Sequence, residues 1–115
     1  MQLLIRQTES GTQVRFTLEG EIDLATVGDV RDAVIATLAR SRPRSVVLDL
    51  ALVTFIDSTG IGELVACHKA ATVSGAELVL ESLSPFVRRQ IWATGLLGLF
   101  GLPTDSPLGD PDGVR

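Results

Sequence analysis

The residues best equipped for chemistry in this chain are Asp57-Ser58-Thr59-Gly60-Ile61-Gly62, an acid, two hydroxyls and two glycines where an apolar run gives way to a helical pattern. A hydrolytic Ser58 would need a base, and His68 is the only histidine. It lies ten residues along the same expected helix, roughly 15 Å away at about 1.5 Å per residue and beyond proton-transfer reach. The stretch also lacks the Gly-x-Ser-x-Gly spacing of a nucleophile elbow. Gly60-Ile61-Gly62 hints at a phosphate loop, but no lysine accompanies it to grip a nucleotide. Cys67 and His68 are adjacent on the helix and point about 100° apart, a poor start for a metal site. Two readings remain open. In one, Asp57 and Ser58 are caps that accept bonds from the orphan N–H groups of the first turn, and the glycines allow loop and sheet to approach closely. In the other, Ser58 is a modification switch. A helix N-terminus tolerates a phosphoryl group, which adds about −1.5 to −2 charge, and the glycines leave the turn open to a second protein.

The rest of the chain limits what such a site serves. A chain of 115 residues, 45% hydrophobic, is one globular domain able to bury a core without staples. A net charge of −4 argues against nucleic acid and against electrostatic docking on anionic lipid. Cys67 stands alone, which excludes an internal disulfide and suits a reducing compartment. Leu3-Leu4-Ile5 is too short for a signal peptide and is interrupted by Arg6. The uncharged run 91–104 contains three glycines and a proline and falls below the roughly 18 residues of a membrane span. The expectation is a cytoplasmic protein with no nucleic-acid and no membrane partner.

The elements that must hold the site follow from periodicity. Residues 2–9 read as a strand and Ser10-Gly11 as a hairpin turn. Over 12–19, Val14, Phe16 and Leu18 alternate with Gln13, Arg15, Thr17 and Glu19, a half-buried strand. Residues 20–25 leave it as a loop. Thr26 opens a helix with Asp29 in a capping-box-like place. Its apolar stripe is Val27, Val30, Val34 and Leu38, with Arg31, Asp32 and Arg40 on the wet side. After Pro43, the nearly continuous apolar run 45–50 suits a central strand covered on both faces, followed by a short crossing. A second helix runs from Ser58 to about Val73, with Ile61, Leu64, Val65 and His68 inward, and Ser74-Gly75 closes it. Residues 77–81 form another strand. Pro85 begins a third helix through Val87 and Ile91, stopped by Gly95 at C′, with Trp92 packed at the core or rim. Residues 96–102 make a short packed segment. The domain is expected over 1–103, and 104–115, with two prolines, two glycines and three aspartates, as a flexible tail. The order specifies an α/β sandwich, a mixed β-sheet with helices packed on it. Right-handed crossovers would place the two main helices on one face.

From about residue 4 to 102 the chain resembles the STAS domain of bacterial anti-anti-sigma factors, also called anti-sigma factor antagonists. The most specific piece is Thr54-Phe55-Ile56-Asp57-Ser58-Thr59-Gly60-Ile61-Gly62. Gly20-Glu21-Ile22-Asp23 resembles the family's second signature, and Thr94-Gly95-Leu96 with Leu99-Phe100 resembles its C-terminal end. The resemblance implies that Ser58 is phosphorylated by an anti-sigma factor that is itself an ATP-dependent serine kinase. The unphosphorylated domain would bind that kinase and free a sigma factor, and a metal-dependent serine phosphatase would reset it. Asp23 and Asp57 are implied as acids lining this surface, with Asp23 near Ser58. Glu21, Thr59, Gly60, Gly62 and Glu63 complete the implied partner-binding set. No cofactor and no catalysis are implied.

Leu52 stands where relatives commonly carry small or polar residues, and Glu63 where they often carry an aliphatic one. Glu63 is therefore expected to add negative charge one turn from Ser58 and to tune which kinase fits. Two other classes share the resemblance: an accessory STAS subunit of a lipid-transport ABC assembly, and a scaffold subunit of a stress-sensing complex. The transport class needs no serine switch, so an intact Asp57-Ser58-Thr59-Gly60 favours the phospho-regulated antagonist.

Overall fold

Two strands with alternating apolar residues need a turn that reverses the chain, and glycine supplies it. In the computed structural model, which describes residues 2–102, β1 (Leu3–Ser10) pairs antiparallel with β2 (Gln13–Ile22). Ser10 lies opposite Gln13, so the turn is Gly11-Thr12, one residue later than expected, and Gly11 takes φ +61°. The chain continues through α1 (Val27–Ser41), β3 (Ser45–Ile56), α2 (Ser58–Val73), β4 (Glu77–Glu81) and α3 (Pro85–Ala93), and then a 3-10 turn at Gly98–Phe100. The sheet order is β1-β2-β3-β4, with β3 parallel to both β2 and β4. This is the expected mixed sheet with helices packed on it.

Val14, Phe16 and Leu18 of β2 and Val46, Leu48 and Leu50 of β3 point into one core. Val30, Val34 and Leu38 of α1 join it with Leu64 and Cys67 of α2 and Val87 and Ile91 of α3. The expectation that β3 is covered on both faces needs correction. On the opposite face Arg15 bridges Asp49 at 3.2 Å and Glu81 at 2.7 Å, an ion-pair ladder across three strands whose side chains remain partly exposed. Val47 is buried on that face, outside the main core.

The strands carrying the site are longer than their alternation indicated. β2 keeps Gly20, Glu21 and Ile22, which were expected in a loop, and β3 continues from Ala51 to Ile56, expected as a crossing. The cause is a pair of bulges. Between Thr17/Asp49 and Glu19/Leu52, and again between Gly20/Val53 and Glu21/Phe55, β3 carries one extra residue. The core-facing residues of β3 therefore change from every second one, Val46, Leu48 and Leu50, to Leu50, Val53 and Ile56, three apart. Gly20 sits at the bulge with φ +124°, and a Cβ there would collide with the Gln2 carbonyl just before β1.

β4 ends at Glu81 while β3 runs on, and α3 occupies the space beside the exposed edge. Ser84 donates its hydroxyl to the Val53 carbonyl at 2.6 Å and accepts the Val87 N–H as the α3 N-cap. Gly95, at φ +76°, ends α3 as expected: its N–H bonds the Trp92 carbonyl and that of Leu96 the Ile91 carbonyl, a Schellman closure. Leu97 and Phe100 then return to the core. The expected tail, 104–115, lies outside the described residues.

Candidate functional site

Ile22 and Ile56 are register partners on adjacent parallel strands, and both are buried. The residues that follow them, Asp23 and Asp57, are therefore delivered side by side at the carboxyl ends of β2 and β3, where open α/β sheets place their ligand sites. The Asp57 N–H donates to the Ile22 carbonyl at 3.3 Å. Gly60 packs into the same corner, where a Cβ would lie 2.5 Å from the Ile22 carbonyl oxygen and 2.7 Å from Cγ1 of Ile56. Of the two expected roles for the glycines, Gly60 takes close approach: it is buried and offers a partner no surface of its own, contrary to the implied contact set. Gly62 is exposed, with open space where a Cβ would stand.

Each acid is first engaged with its own loop. Asp57 is the N-cap of α2, accepting the Gly60 N–H at 2.8 Å. Asp23 Oδ1 accepts the N–H groups of Ala25 at 3.0 Å and Thr26 at 3.2 Å. Thr26 does not form the expected capping box: its hydroxyl donates to the Glu21 carbonyl at 2.8 Å and accepts the Asp23 N–H at 3.0 Å. This buried threonine, unremarked in the sequence beyond its helix-starting place, knits the first loop. Both acids stay half-buried.

Capping by Asp57 leaves Ser58 free of that duty. Ser58 is the first residue of α2 and is exposed, as is Thr59, and neither side chain has a hydrogen-bond partner among the described residues. Glu21 lies half-buried on the end of β2, in register with Phe55. Large apolar side chains flank the acids. Leu24 is 76% exposed and Phe55 38%, and Phe55 stacks on Phe86 of α3 at 5.5 Å; Leu52, 50% exposed, lies further back on β3 opposite Glu19. The sequence placed Leu24 in a loop and Phe55 in a crossing, and marked neither as exposed apolar surface beside the acids.

The expectation for Glu63 is overturned. It is 4% exposed and turned toward α1, so it adds no charge to the face around Ser58. Arg31 of α1 grips it in a fork, donating from Nη2 to Oε1 at 2.5 Å and from Nε to Oε2 at 3.3 Å. The carboxylate holds the Arg31 guanidinium still further from deprotonation, chiefly through that hydrogen bond. Cys67, one turn on, places its thiol 3.6 Å from Glu63 Oε2. Burial, with the Glu63 charge second, pushes that thiol up to about 12. His68 is half-buried, edge-on to Phe100 at 5.7 Å. Among the described residues no group of three or more His, Cys, Asp or Glu side chains is arranged to hold a metal, and no helix is long and apolar enough to cross a membrane.

The STAS domain model matches residues 5–110, nearly the whole chain. The chain belongs to the STAS domain family. An anti-sigma-B factor antagonist from Staphylococcus aureus is 29% identical over 99 residues, covering 86% of this chain and 91% of the relative. The crystal structure of an anti-sigma factor antagonist from Mycobacterium paratuberculosis superposes with a TM-score of 0.75 at 28% identity, over 90% of this chain and 87% of that one. The anti-sigma factor antagonist SpoIIAA in its unphosphorylated form shares the fold at 19% identity, with a TM-score of 0.72 over 84% of each chain. The relatives of this STAS domain thus include antagonists of anti-sigma factors.

Proposed function

We propose that this STAS domain is an anti-sigma factor antagonist: unphosphorylated, it binds an anti-sigma serine kinase and releases a sigma factor, and phosphorylation of Ser58 switches it off. One observation carries the reading. The cap of α2 is Asp57, so the exposed Ser58 hydroxyl at the first helical position has no structural task to lose on modification. Asp23, Asp57 and Glu21 supply acidic character around it, and Thr59 and Gly62 lie on the open side. A metal-dependent serine phosphatase resets the switch, and the chain itself is substrate and binder rather than enzyme, working in the cytoplasm. The names of the curated relatives support the antagonist part of this reading. The test is to incubate the protein with its cognate anti-sigma factor and ATP and map the phosphate by mass spectrometry. Phosphate on the peptide containing Ser58, abolished by Ser58→Ala, is the expected result. Phosphate mainly on Thr59, or none, overturns the assignment.

A further inference from the structure

We propose that Glu63 is a positioning residue: its fork with Arg31 sets the register of α1 against α2 and thereby the spacing of the Asp23 and Asp57 loops. The use of that spacing by a partner rests on the switch reading above.

The pair is an unusual thing to bury. Glu63 is 4% exposed and surrounded by core residues, while its Arg31 partner remains 59% exposed by side chain. Desolvating a carboxylate is costly, and an apolar residue of similar volume often serves stability equally well or better. What a fork of two hydrogen bonds adds is geometry, because only one helix register satisfies both. The C-terminal ends of α1 and α2 border an open cleft of about 400 Å³ lined by Leu38, Ala39, Arg42, Val73 and Ser74. The fork thus holds the N-terminal halves of the two helices, and the cleft lies at their other ends.

The clamp is close to the site. Arg31 lies five residues after Thr26, the cap position of α1, and Glu63 six after Asp57, the cap of α2. At about 1.5 Å per residue the fork stands roughly 7–9 Å below both loops. A shear of α1 along α2 would be felt at the Asp57 N–H bond to Ile22 and at the Gly60 contact with the same carbonyl.

The experiment uses the chain alone, without kinase or partner, so its outcome is separate from whether Ser58 is phosphorylated. Glu63→Leu and Glu63→Gln are compared with the wild type by urea unfolding and by amide chemical shifts and hydrogen exchange. For Glu63→Leu we expect an unchanged or higher urea midpoint. Shift changes should reach residues 22–26 and 57–60, and exchange at Asp57 and Gly60 should be about tenfold faster, a loss of about 1.4 kcal/mol in local protection. Glu63→Gln keeps the size and one acceptor for Arg31 and should return the loops part of the way. Changes confined to the neighbours of Glu63, with loop exchange unaltered, overturn the proposal. So does uniformly faster exchange with a lowered urea midpoint in both variants, which would make the pair a support of the whole fold.

Discussion

The same substitution made at two glycines two residues apart should have opposite effects. Gly60→Ala would place a Cβ 2.5 Å from the Ile22 carbonyl oxygen, 2.7 Å from Ile56 Cγ1 and 2.9 Å from Ile22 Cγ2. The first neighbour is the backbone of Ile22, the last paired residue of β2, and a carbonyl held in the sheet cannot rotate away as a side chain would, so α2 must lift from the sheet. Overpacking of this kind costs about 1–3 kcal/mol, more than the gain of up to about 1 kcal/mol from replacing a helical glycine. Gly62→Ala meets nothing within 4 Å and keeps only the helix gain, about 0.5–1 kcal/mol. For a domain near 100 residues each kcal/mol moves Tm by roughly 4–8 °C. Thermal unfolding should therefore show Gly60→Ala several degrees below the wild type and Gly62→Ala a few degrees above it. If both variants move the same way, or Gly60→Ala is neutral, the close contact of α2 with β2 is wrong, and the packed corner that aligns the two acids goes with it.

Asp57→Ala should cost about 0.5–2 kcal/mol through the lost Gly60 bond, whereas Ser58→Ala, removing a hydroxyl with no hydrogen-bond partner among the described residues, should stay within about 0.5 kcal/mol by urea unfolding. Ser58→Ala should still bind the anti-sigma factor in a titration, and Ser58→Asp should bind more weakly. Cys67, fully buried with its thiol pushed up to about 12, should resist alkylation at pH 8 until urea is added. Because its folded pKa lies above the ordinary 9.0, the protonated thiol favours the folded state. That contribution is complete below about pH 9 and declines as pH rises toward 12, so a thiol-free Cys67→Ala variant should lose less stability over that window.

Where local chemistry decides the structure, the residues announced it. Ser58 to Val73, Glu77 to Glu81 and the Pro85 start with its Gly95 stop coincide with the expected elements, because caps, proline and glycine act within a few residues. Two local details differ, the hairpin turn one residue on and the Thr26 hydroxyl turned to the Glu21 carbonyl, but the larger misses are long-range. The upper half of β3 was hidden since its two bulges are defined only by the pairing with β2, and they erase the alternation by which a strand is read. Glu63 looked like a surface acid because a charged residue is almost never buried without a partner. That partner sits on another helix, 32 residues earlier. Arg31 was assigned to the wet side correctly, but nothing local indicates that it reaches across α2. Asp57 and Ser58 are both good caps by type, and only the bond from Gly60 separates the capping residue from the free one.

That separation bears on how a switch at Ser58 would operate. With Glu63 withdrawn and paired, the acids at the carboxyl ends of β2 and β3 are Asp23 and Asp57, and both are held by amides of their own loops. A phosphoryl group added here meets a helix already capped and loops already bonded, so nothing in the fold needs to reorganise to receive it. Its effect falls on whatever docks against the face. A partner suited to these acids and to the apolar Leu24 and Phe55 presents cations and an apolar anchor. Added negative charge and bulk in that contact displace the match rather than the domain. Charge mismatched across an interface costs several kcal/mol, and at about 1.4 kcal/mol per decade a penalty of about 3 kcal/mol weakens binding more than a hundredfold. The decisive comparison is the amide spectrum of the two forms. Changes confined to residues 21–26 and 57–62 accord with a rigid face whose charge alone is altered. Changes spread through β1 and β4 would mean that the phosphate acts through the fold, and the division of labour between Asp57 and Ser58 would not be the basis of the switch.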